Sequence, residues 1–286
     1  MSRTFYTVYN SPDDMFKRGR AVTYESIPSR FVRSRETIAT CDRANEGSFN
    51  GSWIKLLRTF DAGVFKSRAS LTDDIISEIR TTDFTEMKWK FRQRLDEGDA
   101  VDVERYIAGE EKCWSGCRRL PKVKRAVRIY VNFGGNCNRS AKELAVAGAC
   151  GVTIAECMES IGVAAEIWGV HFNRGMDSMG NDYVDLVRLK AQSEYADVGL
   201  INFMLGDDSV FRNLMFRLWC KVAADNGKDT DYGLGQSRQA TLVNIGLTPS
   251  ERKTAILVPQ LFDIEDAKEW LAKTLSNPEI LQEAAI

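Results

Sequence analysis

The sequence predicts an α/β fold with an open, mainly parallel sheet. From residue 122 onward, short runs rich in β-branched and aromatic residues alternate with longer amphipathic runs, the pattern of strands joined by crossover helices. One pair of such runs, Val163–Phe172 and Tyr183–Ala191, is separated by a single loop, which makes a hairpin rather than a crossover. Before residue 122 the periodic runs are helical only.

Residues 1–48 mix aromatic and basic positions without clear periodicity and are expected to form an extended N-terminal arm. Residues 49–121 are expected to be a helical region and connector. Trp53, Leu56, Leu57 and Phe60 recur at helical spacing before Gly63, Leu71–Ile79 repeats the pattern, and Phe84–Leu95 carries Met87, Phe91 and Leu95 among lysines and arginines. Gly98–Arg125 combines glycine, proline and charge and reads as the connector.

Residues 122–286 are expected to form the α/β domain. Its strands are Ala126–Phe133, Val163–Phe172, Tyr183–Ala191 as an antiparallel sheet edge, and Thr254–Pro259. Its helices are Ser140–Ile161, Asp208–Ala224 and Ile264–Leu275. Ser140 with Glu143 three residues later has the form of a capping box.

The chain has 39 Lys and Arg against 40 Asp and Glu, a formal net charge of −1, so no global positive field exists to hold nucleic acid or an anionic membrane. No apolar run reaches the roughly 20 residues a membrane span needs. The seven cysteines are an odd number with no secretory signal ahead of them, which fits a reducing compartment, and a cytoplasmic location is expected.

In an open sheet of this kind, ligands sit beyond the carboxyl ends of the strands. There the first strand of the α/β region reads Ile129-Tyr130-Val131-Asn132-Phe133-Gly134-Gly135-Asn136. This order of elements is similar to the von Willebrand A fold, whose first strand ends in D-x-S-x-S and holds a divalent cation. Asn132 falls on the aspartate of that motif, and Gly134 and Asn136 fall on its serines. The strand Ile256-Leu257-Val258-Pro259-Gln260 offers no second carboxylate, the nearest being Asp263. A hard cation wants oxygen ligands with one or two carboxylates among them. The resemblance therefore implies a degenerate metal site, and no metal or other cofactor is expected.

Gly134 and Gly135 could instead cradle a phosphate, but they match no phosphate-binding signature and read first as a tight turn. Cys113 and Cys117 are spaced like half a zinc site or a redox pair, without a second half in sequence. Cys137, Cys150 and Cys157 read as small core residues. His171, the one histidine, could meet Asp182 or Asp185 across the hairpin, with no nucleophile motif beside it.

The remaining candidates are apolar. Tyr195, Leu200 and Phe203, in the segment leading to the next helix, and Phe5, Tyr6 and Tyr9, in the arm, are candidate partner-binding residues, because interfaces favour aromatic anchors.

Two stretches, Val101–Gly109 and Val127–Trp168, resemble a family of uncharacterised proteins of bacteriophages and prophages. That resemblance implies a phage origin and a place in the host cytoplasm. Among phage proteins of this size without catalytic residues it points to an inhibitor of host defence, such as the Gabija anti-defence proteins, which enclose a defence nuclease complex. The resemblance assigns no interface residue of that family to a position here. The expected function is non-enzymatic: an oligomer that binds and blocks a host defence complex of the nuclease and ATPase type. Two alternatives stay open, an assembly cofactor of a ring ATPase and a nucleotide-binding enzyme using Gly134 and Gly135.

Overall fold

The computed structural model describes residues 3–43, 53–63, 66–80, 93–95, 100–101, 114–115, 126–133, 140–160, 163–173, 177, 180–207, 209–230 and 238–276. Among these residues the strands are β1 (Thr4–Tyr9), β2 (Gln93–Leu95), β3 (Ala100–Val101), β4 (Trp114–Ser115), β5 (Ala126–Asn132), β6 (Ala164–Asn173), β7 (Asp182–Lys190) and β8 (Ala255–Val258). The helices are α1 (Pro12–Arg20), α2 (Val32–Arg43), α3 (Trp53–Asp61), α4 (Lys66–Arg80), α5 (Ala141–Ser160), α6 (Val198–Gly206), α7 (Phe216–Asp225), α8 (Pro249–Lys253) and α9 (Ile264–Leu275). A π-helical stretch, Val210–Met215, runs directly into α7.

The main sheet has the order β1-β7-β6-β5-β8. β5 pairs in parallel with both β6 and β8, and α5 is the crossover between β5 and β6. The short loop after β6 returns β7 antiparallel, as hairpin geometry requires. β1 then pairs in parallel with β7. The fold is therefore α/β with a mixed, mostly parallel sheet.

Alternation along the strands divides the core in two. Ile129, Val131, Ile167, Val187, Leu189, Ile256 and Val258 face one side and share a core with buried residues of α1, α3, α4, α5, α6, α7 and α9. Tyr130, Val170, Phe172, Val184 and Leu186 face the other side and pack on Ala240 and Ile245, which lie between α7 and α8 in sequence. Among the described residues most helices thus gather on one face, and residues between α7 and α8 pack on the other.

Local chemistry explains several boundaries. Ser140 donates its N–H to Glu143 Oε2 at 2.7 Å and accepts the Glu143 N–H at 3.3 Å, so the capping box forms and starts α5. Asp263 accepts the N–H groups of Glu265 and Asp266 and caps α9. Thr248 and Glu251 form a second capping box at α8.

The N-terminal residues depart from the expected extended arm. Ser11 caps α1, Pro12 occupies its first turn, and Asp13 and Asp14 complement its positive end. Met15, Phe16 and Gly19 of α1 are buried. Arg217 ties this region down from α7: it donates to the Val22 carbonyl at 2.7 Å, pairs with Asp42, and lies 4.4 Å from the Trp53 ring centroid. Asp229 accepts the N–H groups of Arg33 and Ser34 and so caps α2 from 195 residues away.

Other differences follow. β7 is not a sheet edge, because β1 lies outside it. The end of the expected helix Phe84–Leu95 is strand β2, and its earlier part, residues 84–92, lies outside the described residues. The connector contains β3 and β4, which join β2 in a small antiparallel sheet of order β2-β4-β3. The segment after Tyr195 contains α6, and the helix expected over Asp208–Ala224 begins as the π-helical stretch.

Candidate functional site

At the metal position suggested by the von Willebrand A resemblance, Asn132 is buried at the end of β5 and donates its amide to the Arg238 carbonyl at 3.4 Å. Its side-chain oxygen has no hydrogen-bond partner among the described residues. Gly134 and Asn136 lie outside them. Asp263 is committed to capping α9. Among the described residues Asn132 brings only a neutral amide to this position, whereas a hard cation wants carboxylates among its ligands. Among the described residues no group of three or more His, Cys, Asp and Glu is placed to hold a metal ion. Cys113, Cys117 and Cys137 also lie outside the described residues, whereas Cys150 and Cys157 are buried in α5.

The principal polar cluster sits on the helical face of the hairpin. His171 of β6 and Asp185 of β7 are directly opposite each other in the register, so the expected juxtaposition forms. Their side chains nevertheless turn to different partners. Asp185 accepts the Trp219 indole N–H at 2.5 Å and the Tyr9 hydroxyl at 3.3 Å. Burial pushes its carboxyl up to about 7, against the pull of those two hydrogen bonds. Burial, followed by the adjacent Asp185, raises the Tyr9 phenol well above its ordinary value.

His171 is fully buried, and neither ring nitrogen has a hydrogen-bond partner among the described residues. Three aromatic rings surround it, with centroids at 4.5 Å for Trp219, 5.1 Å for Phe211 and 5.8 Å for Phe133. Burial lowers its pKa to about 3, so the imidazole is neutral at physiological pH. Asn173, one full alternation further along β6, is also buried. Nearby, Asp177 accepts the Asn181 amide at 2.7 Å and the Tyr183 hydroxyl at 2.9 Å. A carboxyl of raised pKa beside a neutral imidazole can hold a proton in the interior, but neither group meets solvent.

The apolar candidates separate sharply. Tyr9 and Phe203 are buried in the main core. Phe5 and Leu200 are half-buried against it, Phe5 with its ring 5.2 Å from that of Tyr183. Tyr6 remains 50% exposed and Tyr195 96% exposed, which leaves these two of the six able to meet a partner directly. Val8, next to Tyr6 on the same face of β1, and Val243 are exposed as well, at 44% and 61%. Neither was evident from sequence, because nothing local marks which apolar residues lack a cover.

No described helix is long and apolar enough to cross a membrane. Comparison with curated proteins and with solved structures gave no match. A family model described as a domain of unknown function, DUF7192, matches residues 3–282, and the chain belongs to that family.

Proposed function

We propose that the protein works by protein–protein contact, and that its partner is a host anti-phage defence complex of the nuclease and ATPase type, such as Gabija. The contact reading is supported by the division between interior and surface. Asp185, His171 and Tyr9, the groups with acid–base chemistry at the hairpin, are buried, with Trp219 of α7 bonded to Asp185 and packed on His171. Tyr195, by contrast, projects almost wholly into solvent at the start of the segment that Asp197 caps into α6. A tyrosine held out in this way contributes nothing to the core, whereas in an interface it supplies large contact area at a small entropic cost.

The partner class rests on the resemblance of Val101–Gly109 and Val127–Trp168 to phage proteins. Co-expression with a Gabija nuclease–ATPase complex tests it, read by co-elution and by phage plating on cells that carry the defence. The expected result is a joint complex and relieved restriction, both weakened by Tyr195→Ala. Separate elution with restriction unchanged would sink the proposal.

A further inference from the structure

β1 lies at one end of the main sheet, and among the described residues it pairs on one side only, with β7. In a parallel ladder, alternate residues direct both backbone groups to the same neighbour. The Asp182 N–H donates to the Arg3 carbonyl at 2.8 Å, and this fixes the phase. Phe5, Thr7 and Tyr9 therefore face β7, while Thr4, Tyr6 and Val8 turn their N–H and C=O groups outward. No described strand lies on that side. The same three residues have exposed side chains, and the Tyr6 hydroxyl reaches the Asn244 carbonyl at 3.2 Å, beside the exposed Val243.

The composition of this edge is unusual for an open one. Thr4-Phe5-Tyr6-Thr7-Val8-Tyr9 has no charge, no proline and no glycine, and every residue favours a strand. Soluble proteins blunt free edges with lysine, proline or bulges, because an unguarded edge is a template for another strand. None of those devices occurs in β1.

We propose that a second copy of this chain occupies the edge, with the two β1 strands antiparallel about a twofold axis at Tyr6. The register follows from geometry. Outward-facing residues must oppose outward-facing residues, so Tyr6 meets Tyr6 of the second copy and Thr4 meets its Val8. Each such pair exchanges two backbone hydrogen bonds. The strand carries no charge to repel its own copy. Arg3, at one end, is brought toward the end of the other β1, where Asp13 and Asp14 open α1. Such a pairing is isologous and closed, so it ends the edge rather than propagating a filament. It is independent of which protein the remaining surface binds.

The test uses the full chain and three single variants. Light scattering at roughly 100 µM, a concentration that populates even a small interface, is expected to give the dimer mass. Tyr6→Lys places like charges directly opposite across the axis and should weaken association by about tenfold or more. Tyr6→Cys should cross-link on mild oxidation, because hydrogen-bonded antiparallel pairs hold their Cα atoms at roughly 5.5 Å, within disulfide reach. Val8→Cys, which opposes Thr4, should not exceed the wild-type background. If circular dichroism shows that Tyr6→Lys is misfolded, the cysteine trap decides alone. A monomeric wild-type chain overturns the proposal, as does a dimer that ignores Tyr6→Lys or leaves Tyr6→Cys uncross-linked.

Discussion

The Trp219 indole donates its N–H to the Asp185 carboxylate at 2.5 Å, and this bond joins α7 to the antiparallel strand of the sheet. Around it, Tyr9 adds the second hydrogen bond to the carboxylate, and the Trp219 ring packs on His171.

Stability should fall as pH rises from about 4 to about 7. The folded carboxyl of Asp185 titrates at about 7 because of its burial, while an unfolded aspartate releases its proton near the ordinary value of 3.8. Within that window the folded state binds the extra proton, so raising the pH favours unfolding, by roughly 2–4 kcal/mol in total. Asp185→Asn keeps an acceptor for Trp219 and removes the titration. Urea unfolding at pH 5 and pH 8 should show a smaller difference for the variant, which should match or exceed the wild type at pH 8.

Asp229 behaves in the opposite sense. Burial alone would raise its carboxyl, but the bonds from Ser34, Arg33 and Thr230 hold it below 3.8. The stabilisation is present above the unfolded value and is lost as pH falls through the folded one. Asp229→Ala should cost about 1–2 kcal/mol at neutral pH, the usual loss of a helix cap. Amide hydrogen exchange should show the loss concentrated in α2.

Gly151 lies where α5 crosses β5. A Cβ there would stand 2.5 Å from Val131 Cγ2, and valine is stiff at χ1. Gly151→Ala gains about 1 kcal/mol of helix propensity but overpacks the core by roughly 1–3 kcal/mol. Chemical denaturation should therefore report a net loss, where an exposed helical glycine would report a gain.

Tyr195→Ala should leave folding stability within about 0.5 kcal/mol of wild type, because the side chain touches little of its own fold. A thermal melt checks this, and it separates a binding defect from a folding defect in the co-elution experiment.

Much of the architecture is legible in the sequence. The strands β5 to β8 announce themselves by β-branched runs, Ser140 and Glu143 mark the start of α5, and Ile264–Leu275 has the bounds its periodicity suggests. β1 is harder to read because its outward positions Tyr6 and Val8 are as apolar as its inward ones, so the alternation vanishes. Its following helix carried a readable start in Ser11-Pro12-Asp13-Asp14. α6 hides for a different reason: Gly199 and Ile201–Gly206 are buried all round, which erases helical periodicity. At the hairpin, the His171–Asp185 pairing follows from strand spacing alone. Its actual hydrogen-bond partners do not, since Tyr9 is 176 residues from Asp185 and Trp219 is 34.

The contact reading stands or falls on the mass of a mixture. Light scattering of the protein with a purified Gabija nuclease–ATPase complex should show one species heavier than either component, and Tyr195→Ala should shift the mixture back toward the separate masses. Two unchanged masses at concentrations near 10 µM, where an interface of ordinary size would associate, would contradict it.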